Sequence, residues 1–190
     1  MQAEPVDGPS DPEQVARTVC LQLLASRART RYELDVALRR RGVPDAVAAQ
    51  VLDRFAAVGL LDDGAFAEHW VRSRHELRGL GRRALAAGLR RKGVDDDTAA
   101  EALTDIDRGA EKRRARALVE RRLRATPLAA EPAAGAATGK RANDATARKL
   151  VGMLARKGYA AGLAYEVVRE ALAARGGELS EVDPAVLEDG

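Results

Sequence analysis

The sequence predicts an all-α protein, built as three tandem three-helix repeats forming an elongated, curved array. Three observations predict it. One segment recurs three times, as LRRRGV at residues 38–43, LRRKGV at 89–94 and LARKGY at 154–159. The match spreads outward: Leu34, Leu85 and Leu150 share a position, and so do Ala48, Ala99 and Ala164. Recurrence on this scale marks a small unit that buries its apolar face against its neighbours. Finally, aromatic residues make up only 3% of the chain, while alanine, leucine, arginine and glutamate dominate, a palette that favours helix over strand.

Residues 1–10 are acidic, contain proline and glycine, and show no periodicity, so they read as a disordered acidic tail. Repeat one covers 11–59. Asp11-Pro12 caps its first helix, and Val15, Val19, Cys20, Leu23 and Leu24 form the apolar stripe that carries it to about Ser26. Thr30-x-x-Glu33 is a capping box opening a second helix, with Leu34 and Leu38 inward and Gly42 ending it in the left-handed conformation. Pro44 starts a third helix with Val47, Val51, Phe55 and Val58 on one side, closed by Gly59.

Repeat two covers 60–106. Asp62 or Asp63 caps its first helix, which turns Phe66, Trp70 and Val71 inward; Trp70 is expected in the core rather than as a base-stacking platform. Helices over about 82–92 and 96–106 follow, using Leu85 and Leu89, then Ala99, Leu103 and Ile106. Repeat three covers 107–175 and opens with a basic helix over about 107–124. Thr146 then stands in the place of Thr30, so TARKLVGMLARKG aligns with TRYELDVALRRRG from threonine to glycine. A last helix over about 161–174 buries Leu163, Val167 and Leu172. The copies lie 51 residues apart, then 65. The extra length falls in 127–141, beginning PLAAEPAAGAATGK, which reads as a flexible insertion because it has too little apolar surface to offset ordering. Residues 176–190 read as a second disordered acidic tail.

The formal net charge of +3 conceals a segregation. Residues 1–14 and 177–190 together carry nine acids and no base, which leaves the body at +12 and suits it to an anionic partner. The plain alternative is arginines on solvated helix faces, since only five of the 32 basic residues are lysine. Enzyme chemistry finds little support. Gly79-Leu80-Gly81 is a turn and not a phosphate-binding loop. His69 and His75 lie six apart, off a common helix face, and one cysteine with two histidines makes no metal cluster. Asp62-Asp63 beside an incoming helix reads as a cap. No catalytic residue, cofactor or metal is therefore expected. A single cysteine, no secretory leader and no apolar run of membrane length point to the cytoplasm.

The stretch Gly59-Leu-Leu-Asp62-Asp63-Gly-Ala-Phe66-Ala67-Glu-His-Trp70-Val71, followed by Arg72 and Arg74, resembles the signature of the RecX family, regulators of the RecA recombinase. The LRRKGV of repeat two and the Thr30–Leu34–Leu38–Gly42 framework fit the same family, and the resemblance covers roughly 15–175. The insertion departs from the family's compact third repeat. The resemblance implies a non-enzymatic, monomeric protein that binds the groove of the RecA–DNA filament and suppresses ATP hydrolysis, filament growth and strand exchange. Contact with single- or double-stranded DNA is implied as a weaker, electrostatic term. The residues expected to meet these partners are Arg39, Arg40, Arg41, Arg90, Arg91, Lys92, Arg156 and Lys157 at equivalent places in the repeats, with Arg72, Arg74, Arg78, Arg82 and Arg83 around repeat two. Gly59, Asp62, Asp63, Phe66, Ala67 and Trp70 are expected to act mainly on structure. The rival reading is a stand-alone basic DNA-binding protein with helix-turn-helix-like units, although the third helices are poor in Arg, Asn and Gln.

Overall fold

The computed structural model of the chain describes residues 11–125 and 136–176. The expectations of disorder at 1–10 and 177–190, and most of the insertion, lie outside those residues. Among the described residues there are nine helices and no strand. They are α1 (Pro12–Ser26), α2 (Arg31–Arg39), α3 (Asp45–Ala57), α4 (Asp63–Arg78), α5 (Arg82–Arg91), α6 (Asp96–Ala102), α7 (Arg108–Ala125), α8 (Ala136–Arg156) and α9 (Ala161–Ala173). The fold is an all-α helical repeat.

Helix boundaries follow local chemistry. The Asp11 carboxylate accepts the amide of Glu13 at 3.1 Å, with Pro12 in the first turn of α1. The capping box of α2 is complete: the Thr30 hydroxyl accepts the Glu33 amide at 3.2 Å, and the Glu33 carboxylate accepts the Thr30 amide at 3.4 Å. Gly42, Gly93 and Gly158 have φ of 74°, 71° and 85°. Each closes its helix identically: the residue after glycine donates to Leu38, Leu89 or Leu154, and the glycine donates to Arg39, Arg90 or Ala155. Such left-handed closures satisfy the last carbonyls of a helix and favour glycine.

Two boundaries differ from the expectation. α6 ends at Ala102 instead of running to 106. The Arg82 guanidinium takes the carbonyls of Leu103 and Ile106, and the Asp107 carboxylate caps α7 by accepting the Ala110 amide at 2.6 Å. α8 begins ten residues before Thr146, so 136–141 of the expected insertion is helical and Thr146 is no cap. Its hydroxyl donates back to Ala142 at 2.9 Å, the usual recourse of a threonine inside a helix.

The chain divides into two compact units, and the division runs through the second repeat. In the unit of residues up to His69 and Leu89–Ala102, helices α1, α2 and α3 close around Ala16, Cys20, Leu34, Leu38, Ala48, Val51 and Leu52, all at most 1% exposed. In the unit of Trp70–Gly88 and Leu103 onward, α7, α8 and α9 bury Ala115, Val119, Leu154, Ala164 and Val168 completely.

Candidate functional site

Each unit contains one joint between repeats, and the two joints share a design. In the first, the Lys92 carbonyl, one residue before the turn glycine, accepts the Thr30 hydroxyl at 2.6 Å. In the second, the equivalent Lys157 carbonyl accepts the Gly81 amide at 2.8 Å. Gly81 stands at the position of Thr30, one repeat later. The turn glycine rests on the first turn of the preceding repeat's second helix. A Cβ on Gly93 would lie 2.3 Å from Tyr32, and one on Gly158 would lie 2.4 Å from the Ala84 backbone nitrogen. The corresponding space at Gly42 is open.

Of the signature residues, Asp63 reaches across the first joint and the others act on local structure. The Asp62 carboxylate caps α4 by accepting the Ala65 amide at 2.8 Å, whereas Asp63 accepts the first amide of α2, that of Arg31, at 2.9 Å. Burial raises the Asp63 carboxyl above the usual carboxylate range, against the lowering bond from Arg31. Gly59 has φ 71° and ends the α3 turn, and Ala67 is fully buried. Phe66 lies under the Lys92 ammonium, 5.3 Å from the ring centre. Trp70 occupies space left by Gly88, where a Cβ would stand 2.2 Å from the indole, and Arg74 covers the ring at 5.7 Å. The indole Nε1 is buried with no acceptor among the described residues. Trp70 is thus a packing residue, not an open stacking platform.

The basic residues expected at the interface separate into two groups. Lys92 pairs with Glu33 at 2.9 Å. Burial pushes the Glu33 carboxyl up, but bonds from Lys92 and Arg27 bring it below the ordinary value. Arg39 is held by Asp35 at 3.0 Å and Asp45 at 3.3 Å. The Lys157 ammonium donates to the Arg78 carbonyl at 2.6 Å. Arg74 lies on Trp70, and Arg82 ties down the end of α6. These five side chains have partners within the protein. Arg40, Arg41, Arg72, Arg78, Arg83, Arg90, Arg91 and Arg156 are exposed, and among the described residues none of them is ion-paired. Arg40, Arg41, Arg90 and Arg91 belong to one unit; Arg72, Arg78, Arg83 and Arg156 belong to the other.

Sequence reasoning missed a cleft between α7 and α8. Its volume is about 720 Å³, and Arg121, Arg122, Arg148, Lys149, Arg156 and Lys157 line it. Leu118, Leu123, Leu150 and Met153 form its apolar part, and none of its described lining residues is acidic. Only Arg156 and Lys157 recur as cations at equivalent places in the repeats, so the repeat drew attention away from the other four. That Arg121 and Arg148, from two helices, line one cleft has no signature in the linear sequence.

His75 is buried, and its Nδ1 meets the Leu80 carbonyl at 2.9 Å, holding the α4–α5 turn. Tyr159 is 2% exposed; its hydroxyl donates to Gly79 at 3.1 Å, and burial pushes its pKa up to about 12. Among the described residues no group of three or more His, Cys, Asp or Glu could hold a metal ion, and no helix is long and apolar enough to cross a membrane.

Comparison with known proteins follows the same lines. Residues 16–55 match the family model described as RecX, first three-helix domain, and 62–103 match RecX, second three-helix domain. The chain is 49% identical over 183 residues to the regulatory protein RecX of Thermobifida fusca, covering 95% of this chain and 92% of that protein. It is 50% identical over 171 residues to the regulatory protein RecX of Mycolicibacterium smegmatis, covering 90% and 86%. The fold is similar to the crystal structure of RecX from Lactobacillus salivarius, with a TM-score of 0.69 at 20% identity over 85% of this chain and 97% of that one. By its sequence along nearly its whole length, by its two matched three-helix domains and by its fold, the chain belongs to the RecX family of regulatory proteins.

Proposed function

We propose that this protein is a non-enzymatic modulator of the RecA recombinase, one that binds the groove of the RecA–DNA filament and suppresses ATP hydrolysis, filament growth and strand exchange. Membership of a family whose members are named as regulatory proteins carries the reading. The exposed arginines support it: Arg40, Arg41, Arg72, Arg78, Arg83, Arg90 and Arg91 have no ion-pair partner among the described residues. Contacts of this kind, each modest, sum when several are made at once. The protein acts as a cytoplasmic monomer, and DNA enters as a weaker, electrostatic partner. The helix-turn-helix reading fares worse, because α6 is only seven residues long and starts with Asp96 and Asp97. Those carboxylates would face phosphates, an unfavourable pairing.

The test measures RecA's DNA-dependent ATP hydrolysis with this protein added to preformed filaments. Hydrolysis should fall, and the protein alone should hydrolyse nothing. The double variant Arg72→Glu/Arg83→Glu should inhibit several-fold less with unchanged helicity. Affinity for naked DNA equal to or above that for the filament, at the same salt, would hand the case to the stand-alone DNA-binding reading.

A further inference from the structure

The α7–α8 cleft combines two properties that rarely coincide on a solvated surface. Arg121, Arg148, Lys149 and Arg156 are exposed around it and have no ion pair among the described residues. Between them lies a narrow apolar floor, formed by partly exposed Met153 and the edges of Leu118 and Leu123, which are 7% and 4% exposed. Like charges gathered over apolar surface are unfavourable unless an anionic group approaches, and a bare polyanion would leave the apolar floor unused. The chain carries a segment of the complementary composition. Residues 177–190, GELSEVDPAVLEDG, have five acids, no base and the aliphatics Leu179, Val182, Val186 and Leu187 interspersed. The segment follows α9, which packs on both α7 and α8 in the same unit. Fourteen residues reach up to roughly 46–50 Å, whereas the 146–157 side of the cleft is only about 17 Å long.

We propose that the α7–α8 cleft is a docking site for acidic, aliphatic peptide, and that its resident occupant is the chain's own segment 177–190. Carboxylates of the segment meet the four cations while its leucines and valines cover the apolar floor. Tethering supplies an effective concentration of order millimolar, so individually weak contacts suffice. The attraction is screened over about 3 Å at 1 M salt, against about 10 Å at 0.1 M. An anionic partner can use this cleft only by displacing the segment.

The single native cysteine, Cys20, is fully buried, so Ala185→Cys places one accessible thiol in the full-length protein. With a nitroxide on that thiol, amides of Leu123, Arg148, Gly152 and Met153 should lose intensity relative to a diamagnetic label. The loss should disappear when Glu178, Glu181, Asp183, Glu188 and Asp189 are changed to their amides, and should shrink at 1 M salt. A single-stranded oligodeoxynucleotide that enters the cleft should restore the intensities. Undiminished intensities at low salt would overturn the proposal, as would an oligonucleotide that shifts the cleft amides without relieving the broadening.

Discussion

Three glycines with the same backbone conformation should respond unequally to the same substitution. Gly42, Gly93 and Gly158 share positive φ, so alanine costs each about 1–2 kcal/mol of left-handed strain. Restricting the unfolded chain returns roughly 0.4–1 kcal/mol. At Gly42 nothing else enters, because no atom lies within 4 Å of the added Cβ. Gly42→Ala should therefore lower stability by about 1 kcal/mol. At Gly158 the Cβ would fall 2.4 Å from the backbone nitrogen of Ala84, and a helix backbone cannot swing aside. Overpacking of that kind adds about 1–3 kcal/mol, for a total near 2–4. Gly93→Ala, blocked by Tyr32 at 2.3 Å, should fall between the other two or match Gly158. Urea unfolding followed by circular dichroism at 222 nm gives the three values. For a chain of this length, the range between Gly42→Ala and Gly158→Ala corresponds to roughly 2–12 °C in melting temperature. Equal losses at Gly42 and Gly158 would show that the turn conformation alone matters and that the joint is not close-packed.

Two further outcomes follow from individual side chains. Tyr159 has its pKa raised to about 12 from about 10 in the unfolded chain, so its contribution is complete below about 10 and lost as pH rises through 12. Tyr159→Phe should cost about 1 kcal/mol at neutral pH by removing the bond to Gly79, and should flatten the alkaline limb of a stability–pH curve; an unchanged limb would mean the hydroxyl is not protected. Neighbouring Arg82 and Arg83 should behave oppositely: Arg82→Ala should lose about 1.5 kcal/mol with the Leu103 and Ile106 bonds, and Arg83→Ala should leave thermal unfolding unchanged while weakening RecA inhibition.

What the sequence disclosed was local. The Thr30–Glu33 box, the Asp62 cap and the glycine turns involve residues within six positions of one another, and all were legible from side-chain type and spacing. The start of α8 was misread because alignment with Thr30 transferred a cap to Thr146, although Lys140 to Leu150 contains neither glycine nor proline to stop a helix. The end of α6 was misread because Ala99, Leu103 and Ile106 keep helical spacing and are all buried, yet the chain turns between them. The deciding partner, Arg82, is more than twenty residues away. Candidate site residues divided on the same ground: nothing in the spelling of RRK at 90–92 says that Lys92 faces Glu33 while Arg90 and Arg91 face water.

The joints also constrain the order in which this chain folds. Thr30 and Lys92 are 62 residues apart. The length-dependent part of closing a flexible loop of that size alone costs about 3.7 kcal/mol. A joint of two or three hydrogen bonds, each worth about 1 kcal/mol net, cannot meet that cost from an open chain. The α1–α3 and α7–α9 cores, whose contacts are short in sequence, must condense first and give each joint a formed surface to close on. The same inequality runs backward. Opening a joint leaves the α1–α3 and α7–α9 cores in place, so it is a lower-energy excursion than loss of either core. The Gly81 amide, bonded across the second joint to Lys157, is the atom whose hydrogen exchange times that excursion.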